Sequence, residues 1–241
     1  YTYTAQKELT GMPGSDASSA FTYIPTYEGP NNPVLHNSSY VVPDRIYAKI
    51  SYRDPGNNTY TLDYEAFRGT SSYTYMYADD LNGDSYNYDV MYIPKDDSEI
   101  RFATEDDRAR YWAFADKDPY LKANKGKYAE AYSVYNPWSH RFNFQFAHDF
   151  VIKIGNTRNV LQLNCNINNL MNLFNSSWGV AKYMNTALNS GRILGVQKID
   201  SDGTPVFTTA KGVNGNVETW VPSHTIGQCW YAQIGIRYIF N

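Results

Sequence analysis

The chain has 241 residues, and its 21 Lys and Arg side chains nearly balance its 24 Asp and Glu side chains, giving a formal net charge of −3. This balance argues against nucleic acid as a partner, because nucleic-acid-binding proteins carry a basic face. Aromatic residues make up 16% of the chain, with 23 Tyr, and no apolar run is long enough (about 18 residues) to predict a transmembrane helix. The composition favours β-strands joined by polar turns.

Six segments alternate apolar and polar residues with the period of two that is typical of a β-strand. In chain order they are YTYTAQ (1–6), DRIYAKISYR (44–53), TYTLDYEAFR (59–68), HRFNFQFAHDFVIK (140–153), VLQLNCNINNL (160–170) and CWYAQIGIRYIFN (229–241). Each predicted strand therefore has one apolar face and one polar face. Because the first strand pattern is already present at residue 1, we expect the chain to be a fragment or a processed product.

Short and long connections alternate between these segments. DPGNN (54–58) and IGNTRN (154–159) are predicted hairpin turns, whereas residues of about 10–43, 69–138 and 174–227 form three long loops. Short turns at one end and long loops at the other are typical of an outer-membrane barrel. The sequence therefore predicts an all-β fold, an antiparallel transmembrane β-barrel with periplasmic turns and extracellular loops, whose apolar face contacts lipid.

A soluble β-sandwich is the alternative fold, because its strands also alternate. The polar faces of the predicted strands favour the barrel, since they carry charges of both signs, as a wet lumen would. The predicted lumen-facing residues are Arg45, Lys49, Arg53, Asp63, Glu65, Arg141, Asp149, Lys153 and Arg237. We expect ion pairs between them across neighbouring strands. A path for substrate is the alternative role.

The second long loop contains two predicted short helices. Thr104 is followed by three acidic residues, which is the pattern of an N-cap and a first helical turn, so a helix is predicted within EDDRARYWAFADK (105–117). DPYLKANKGKYAEAY (118–132) predicts another. We expect these helices to fold over the barrel mouth as a compact cap.

The segment ADDLNGDSYNYD (78–89) is a candidate calcium site. The candidate ligands are Asp80, Asn82, Asp84, Asp89 and the carbonyl group of Tyr86. Hard oxygen ligands at alternate positions of a tight loop bind Ca²⁺ in the first half of an EF-hand loop. Gly83 stands in the fourth place rather than the sixth, and no Glu occupies the twelfth. A solvated acidic turn is the alternative.

Four tryptophans of the loops, Trp112, Trp138, Trp178 and Trp220, could stack on a sugar or peptide ligand. Packing inside the loops is the alternative and the role that we favour. The four His residues show no metal-ligand spacing, and neither G-x-S-x-G nor H-E-x-x-H occurs, so we do not expect an enzyme. A disulfide between Cys165 and Cys229 is not expected, because they fall on opposite faces of their predicted strands.

Several segments resemble a known family. CWYAQIGIRYIF (229–240) resembles the closing strand of bacterial outer-membrane proteins, in which the terminal aromatic residues, here Tyr238 and Phe240, form part of an assembly signal. INNLMNLFN (167–175) resembles a penultimate-strand segment of TonB-dependent receptors. Residues 13–46, 80–100 and 136–150 look like the end of the barrel in Bacteroidetes TonB-dependent receptors of the Oar-like type, which have a carboxypeptidase-regulatory-like N-terminal domain.

The resemblance implies that this chain supplies roughly six C-terminal strands of an outer-membrane barrel of about 22 strands. It implies uptake of a large nutrient (a peptide, glycan or chelate), with the loops forming part of the entrance. The implied partners are outer-membrane lipid, the remainder of the barrel, its plug domain and, through an N-terminal part, TonB; a surface lipoprotein is a further candidate. The alternatives are an adhesion or assembly barrel that transports nothing, and a soluble carbohydrate-binding β-domain.

Overall fold

The structure, a computed structural model, describes residues 1–9, 24–29, 31–69, 73–155 and 157–240. Most of its regular structure is β and almost all strand pairs are antiparallel, as predicted. Parts of three predicted connections lie outside the described residues: 10–23 and 30 of the first loop, 70–72 of the second loop, and 156 of the second turn.

The strands in chain order are β1 (Thr2–Tyr3), β2 (Lys7–Glu8), β3 (His36–Asn37), β4 (Asp44–Arg53), β5 (Asn58–Arg68), β6 (Tyr92–Ile93), β7 (Arg101–Phe102), β8 (Lys127–Tyr128), β9 (Trp138–Ile154), β10 (Thr157–Asn168), β11 (Lys182–Met184), β12 (Leu194–Ile199), β13 (Pro205–Thr209), β14 (Trp220–Pro222) and β15 (Tyr231–Phe240). The α-helices are α1 (Glu105–Ala115), α2 (Pro119–Ala123) and α3 (Leu170–Phe174). Two 3₁₀ turns cover Thr186–Gly191 and Ile226–Gln228. None of the helices in the described part of the chain combines the length and the apolar composition needed to cross a bilayer.

The largest sheet contains six strands in the order β1-β4-β5-β9-β10-β15, and every pair is antiparallel. The five long strands confirm the predicted segments within a few residues. The predicted strand 1–6 was too long, since only Thr2 and Tyr3 pair with β4. The strand predicted to reach residue 170 ends at Asn168, because Asn169 adopts a left-handed conformation (φ 52°) that turns the chain into α3. Asn tolerates this conformation better than most residues.

The register of this sheet places apolar residues opposite apolar residues across five strands. One row runs through Ile50, Leu62, Phe144, Ile167 and Ala232. The next row runs through Tyr52, Tyr60, Phe146, Cys165 and Ile234. Because side chains of one row project from one side of a sheet, these rows form a continuous surface, called the apolar face below. The alternate residues form the opposite, polar face.

The two hairpins of the sheet are offset along the strand direction. Asn58, the first residue of β5, lies opposite His148, yet β9 continues past that pair for the six residues Asp149 to Ile154. The second hairpin therefore extends beyond the first. Strands that tilt relative to a barrel axis require such a stagger. Below, the end of the sheet that carries the hairpins is the turn end, and the opposite end is the loop end.

The hydrophobic core lies outside the sheet, in a body that we call the cap (residues 73–134 and 182–222). Its core includes Tyr75, Met91 and Phe114 from the second long loop and Leu188 and Leu194 from the third, all essentially inaccessible to solvent. The small sheet β12-β13-β7 joins the two loops, since β13 of the third loop pairs in parallel with β7 of the second. Two loops that are far apart in sequence thus share one core.

Both predicted helices of the second loop are present in the cap. The backbone N–H of Asp107 donates to Oγ1 of Thr104 at 3.1 Å, which confirms Thr104 as the N-cap of α1. Asp118 caps α2 in the same way, since its Oδ1 accepts from the N–H groups of Tyr120 and Leu121. Local capping therefore fixes where each helix begins.

Candidate functional site

The apolar face has aromatic residues at the turn end of the sheet. The ring of Tyr60 lies 6.4 Å from that of Tyr52 and 5.4 Å from that of Phe146. The predicted assembly-signal residues Tyr238 and Phe240 also stack there, at 6.1 Å, and the Tyr238 hydroxyl donates to Oδ1 of Asn159 at 2.6 Å. Amphipathic aromatic rings are enriched where an apolar surface meets a membrane–water boundary.

A second aromatic group lies on the same face at the loop end. Trp138 stacks on His140 with ring centroids 6.2 Å apart, and the Tyr64 hydroxyl lies 2.9 Å from Nδ1 of His140. Trp138 is the first residue of β9 and shares the parity of His140, so it belongs to the apolar face rather than to the interior of a loop. The alternation of 140–153, extended back by two residues, carries the signal for this placement.

The polar face carries all nine predicted lumen-facing residues. Ion pairs join strands, as expected: Lys49 Nζ lies 3.6 Å from Asp63 Oδ1, and Arg45 pairs with Glu65. Arg53 reaches Asp149 of β9 at 2.8 Å, and the Gln162 side chain donates to the same carboxylate at 2.7 Å. Charges of both signs thus brace four neighbouring strands on one side of the sheet.

The remaining cations that were predicted to face a lumen have other surroundings. Arg141 donates to the carbonyl oxygen of Gly179 at 3.2 Å and also to the Gln228 side chain, so it ties the sheet to the third loop. Lys153 and Arg237 lie near the turn end, are exposed and form no ion pair within the described residues. The polar face therefore carries ion pairs from the loop end (Arg45–Glu65) to the turn end (Arg53–Asp149), and at the turn end it also carries Lys153 and Arg237, which have no ion-pair partner among the described residues.

The candidate calcium loop is closed by its own backbone. Asp80 accepts from the N–H groups of Gly83 and Ser85, both at 2.7 Å, and Asp84 accepts from that of Tyr86 at 2.8 Å. The Asn82 side chain donates to Asp89 at 2.7 Å. The structure thus brings the predicted ligands together in one turn. Within the described ranges, no group of three or more His, Cys, Asp or Glu side chains has the geometry of a metal site.

Asp89 is the buried member of this loop. Burial raises the pKa of its carboxyl group, the N–H groups of Leu81 and Asn82 lower it, and the charges of Asp84 and Asp80 raise it again. A cation at this loop would reduce that repulsion between carboxylates. Because this repulsion favours a cation while the described residues form no metal-binding group, calcium binding stays a prediction.

The four predicted tryptophans occupy different surroundings. Trp112 packs on the cap core, where its Nε1 donates to Asp97 Oδ1 at 2.6 Å and the ammonium group of Lys125 lies 4.8 Å from its ring. Trp178 is exposed on the third loop, outside the cap. The structure brings Trp138 and Trp220 together, because both line one cavity.

This cavity, called the rim cavity below, lies between the cap and the loop end of the apolar face. It has a volume of about 660 Å³, within the usual range for small-molecule sites. The lining residues important below are Arg68, Tyr120, Tyr135, Asn136, Trp138 and Trp220. Sequence reasoning missed this cavity, since β5, the second loop and the third loop each contribute to it and no local pattern joins them.

Asp118 also lines the rim cavity, yet its carboxylate is fully engaged in the cap. Oδ2 accepts from the hydroxyl groups of Tyr75 at 3.0 Å and Thr219 at 2.6 Å. Oδ1 accepts from the N–H groups that begin α2, those of Tyr120 and Leu121. This buried carboxylate therefore joins three segments of the cap and has no lone pair left for a ligand.

Comparison with known proteins adds no identification. No protein-family model, no curated protein and no solved structure matches this chain.

Proposed function

We propose that this chain is the C-terminal part of the β-barrel of an outer-membrane importer of the TonB-dependent type. The observation that carries the proposal is the apolar face, where Ile50, Ile234 and Phe240 are 69%, 78% and 77% exposed while the opposite face is braced by ion pairs. A sheet with this polarity suits lipid on one side and a wet lumen on the other.

Burial energetics support a lipid environment for this face. Removing a large apolar side chain from water contributes about 1.5–3 kcal/mol. A face with more than ten such side chains would forgo a large part of this stabilisation in water, and patches of this size mark surfaces that contact a partner or a membrane. The aromatic residues at both ends of the face match the two interfaces of a bilayer.

The free edges of the sheet support the proposal that further strands belong to the same barrel. β15 pairs on one side with β10, and β1 covers only Asp44 and Arg45 of β4. Unpaired backbone N–H and C=O groups are costly in lipid, so a spanning sheet requires neighbours until it closes. In the proposed importer the remainder of the barrel supplies them, and the plug domain faces the charged residues of the lumen.

The cap supports a role for the long loops at the entrance. Because both loops share one core, the cap is a folded body at the loop end rather than a set of separate flexible segments. The proposed cargo is a large nutrient such as a peptide, a glycan or a chelate. TonB would contact an N-terminal part of the protein.

A spin-label experiment tests the membrane placement. In a Cys165→Ser and Cys229→Ser background, nitroxides are attached to Ile234→Cys on the apolar face and, as the matched control, to Gln233→Cys on the polar face. We expect oxygen, which dissolves in lipid, to accelerate the spin relaxation of the label at 234. We expect a water-soluble nickel complex to accelerate the spin relaxation of the label at 233. Equal access of the nickel complex to both labels would support the soluble carbohydrate-binding domain.

A binding experiment separates import from adhesion. The native protein, extracted from the outer membrane in detergent, is mixed with the soluble C-terminal domain of TonB from the same bacterium. We expect the protein and the TonB domain to form a complex. We also expect intact cells to take up the nutrient that the protein binds, and a protonophore to stop this uptake. A membrane-embedded protein that neither binds this domain nor supports energised uptake would instead be an adhesion or assembly barrel.

A further inference from the structure

We propose that the rim cavity binds an anionic sugar, with Arg68 pairing its phosphate or carboxylate group and the aromatic walls stacking on its ring. The site belongs to neither the lumen nor the calcium loop. Three independent features carry it: the charge that the cavity presents, a buried acceptor without a partner, and the position of the cavity beside the apolar face.

Arg68 is the charge that the cavity offers to a ligand. Its guanidinium lies 4.8 Å above the ring of Tyr135, and its ion pair with Asp44 is long, at 3.9 Å. A guanidinium has five N–H donors in a planar fork, and among the described residues Asp44 is the ion-pair partner of Arg68, so donors remain for a bidentate contact with an anionic group. The other charged residue of the lining, Asp118, has both oxygens saturated by the cap.

Asn136 supplies a hydrogen-bond acceptor that no described protein group fills. Its Nδ2 donates to the carbonyl oxygen of Lys182 at 2.8 Å, whereas its Oδ1 is shielded from solvent and has no partner among the described residues. Leaving a buried acceptor unpaired is unfavourable, and a rotation of the Asn136 side chain toward the cavity that it lines would let a sugar hydroxyl pair with this oxygen. A Cβ atom on Gly69 would lie 2.7 Å from Cβ of Asn136, so glycine at 69 permits the close approach that holds Asn136 here.

Aromatic rings form the remaining walls. Tyr135 and Trp138 flank Arg68, while Tyr120 and Trp220 enter from the cap, and Trp220 is itself held edge-on by Tyr73 at 5.7 Å. The apolar C–H face of a sugar ring packs well on such surfaces. An aromatic wall, one guanidinium and one buried acceptor together match a ring that carries both hydroxyl groups and an anionic substituent.

The position of the cavity allows two sources for this sugar. Arg68 and Trp138 form the last residue pair of β5 and β9 on the apolar face, so the cavity opens where lipid headgroups would lie. The source could be the headgroup of a phosphorylated glycolipid, with its acyl chains on the apolar face, or a free acidic saccharide. The glycolipid source rests on the proposed function, whereas the anionic-sugar site does not.

Calorimetric titration of the detergent-purified native protein tests the site. The probes are glucose 1-phosphate, glucose as the neutral control, and a diphosphorylated di-glucosamine glycolipid in mixed micelles. We expect an anionic probe to bind at least about tenfold more tightly than glucose, and Arg68→Gln to weaken that binding about tenfold or more, since hydrogen bonds to charged groups are the stronger ones. Arg158→Gln, which removes an exposed charge at the turn end, is the matched control and should leave binding unchanged.

Two further variants keep the test decisive. Arg68→Lys keeps the charge without the planar fork, so intermediate affinity is expected. Asn136→Ala should weaken binding of the sugar ring with the charge retained. Binding of the glycolipid alone identifies a lipid source, and binding of glucose 1-phosphate identifies a free one; both support the site.

The result that overturns the proposal is absence of binding by both anionic probes, or equal affinity for glucose and glucose 1-phosphate, or no effect of Arg68→Gln. This outcome is distinct from failure of the proposed function. If the nitroxide labels show a soluble protein and glucose 1-phosphate still binds through Arg68, the site stands and the membrane placement falls. If the labels show lipid and neither anionic probe binds, the reverse holds.

Discussion

In the cap, Tyr75, Phe114 and Leu188 are buried in one core, whereas in the six-stranded sheet Ile50, Ile234 and Phe240 project from a face that the described chain leaves uncovered. The placement of the ion pairs differs as well. Ion pairs of the cap lie on its surface around the buried core, whereas the sheet pairs Lys49 with Asp63 on the face opposite the exposed apolar one. The same residue types thus have two different surroundings. The cap buries its apolar side chains against protein, whereas the sheet exposes them on one face, for which lipid is the proposed environment.

The largest expected effect comes from making the same substitution in both regions. Phe114→Ala should lower the free energy of unfolding by about 3–5 kcal/mol, because it leaves a cavity in a close-packed core. Phe150→Ala, on the apolar face, should cost less than half as much, since lipid or detergent fills the vacated space. Urea unfolding of both variants in detergent measures the difference. Equal losses would mean that both phenylalanines contact protein.

A charge placed on the apolar face sharpens the comparison further. Ile234→Arg should destabilise the folded protein in lipid vesicles by about 2–4 kcal/mol, the cost of arginine on a lipid-facing barrel position. Gln233→Arg, one residue away on the polar face, should have little effect. The measurement is the urea midpoint of each variant in vesicles. If both substitutions are tolerated equally, the apolar face does not contact lipid.

The strands could be predicted from the sequence because their signal is local. Ile46, Ala48 and Ile50 repeat every second residue, and the same period identifies the faces of β5, β9, β10 and β15. The N-cap of α1 was predictable for the same reason, since Thr104 and Asp107 are three residues apart. The polar face and its ion pairs followed from parity alone.

The cap core and the rim cavity could not be predicted, because their partners are distant in sequence. The hydroxyl group of Thr219 bonds to Asp118, 101 residues earlier, and the N–H of Thr209 bonds to Asp107, 102 residues earlier. Neither pair belongs to a repeating pattern. The end of β10 was missed for a different reason: the predicted strand was carried to Leu170, although the apolar parity of Leu161 to Ile167 already fails at Asn169, whose left-handed backbone ends the strand.

A smaller effect is expected from the buried carboxylate that joins the cap. Asp118→Asn replaces one acceptor oxygen with an NH₂ group that faces hydrogen-bond donors, so it should lower the free energy of unfolding by about 1–3 kcal/mol. Hydrogen exchange of the α1 and α2 amides would detect the loss in the cap. Asp116→Asn removes an exposed carboxylate paired with Lys125 and should change stability by no more than about 0.5 kcal/mol. Similar losses for both variants would contradict a special role for Asp118.

The smallest expected effect concerns calcium and the surface of the cap. If the 80–89 loop binds Ca²⁺, an excess of the ion should stabilise the protein by about 1 kcal/mol and raise Tm by about 2–4 °C, more than Mg²⁺ does. Asp80→Asn should abolish the difference, whereas Asp96→Asn, in a separate turn, should preserve it. A Tm that is insensitive to Ca²⁺, or equally sensitive in Asp80→Asn, would leave the loop as a solvated acidic turn.

The shared core of the cap has a consequence for the order of folding. Phe114 and Leu188 come from loops separated by the β9–β10 hairpin, so the second loop lacks six of the sixteen buried residues of the core until the third loop has joined it. Such long-range contacts form slowly, because loop closure must precede them. Pairing of β9 with β10 should therefore precede assembly of the cap core, because this hairpin brings the second and third loops together. Until that pairing forms, we expect the apolar residues of the second loop to stay exposed to chaperones and proteases.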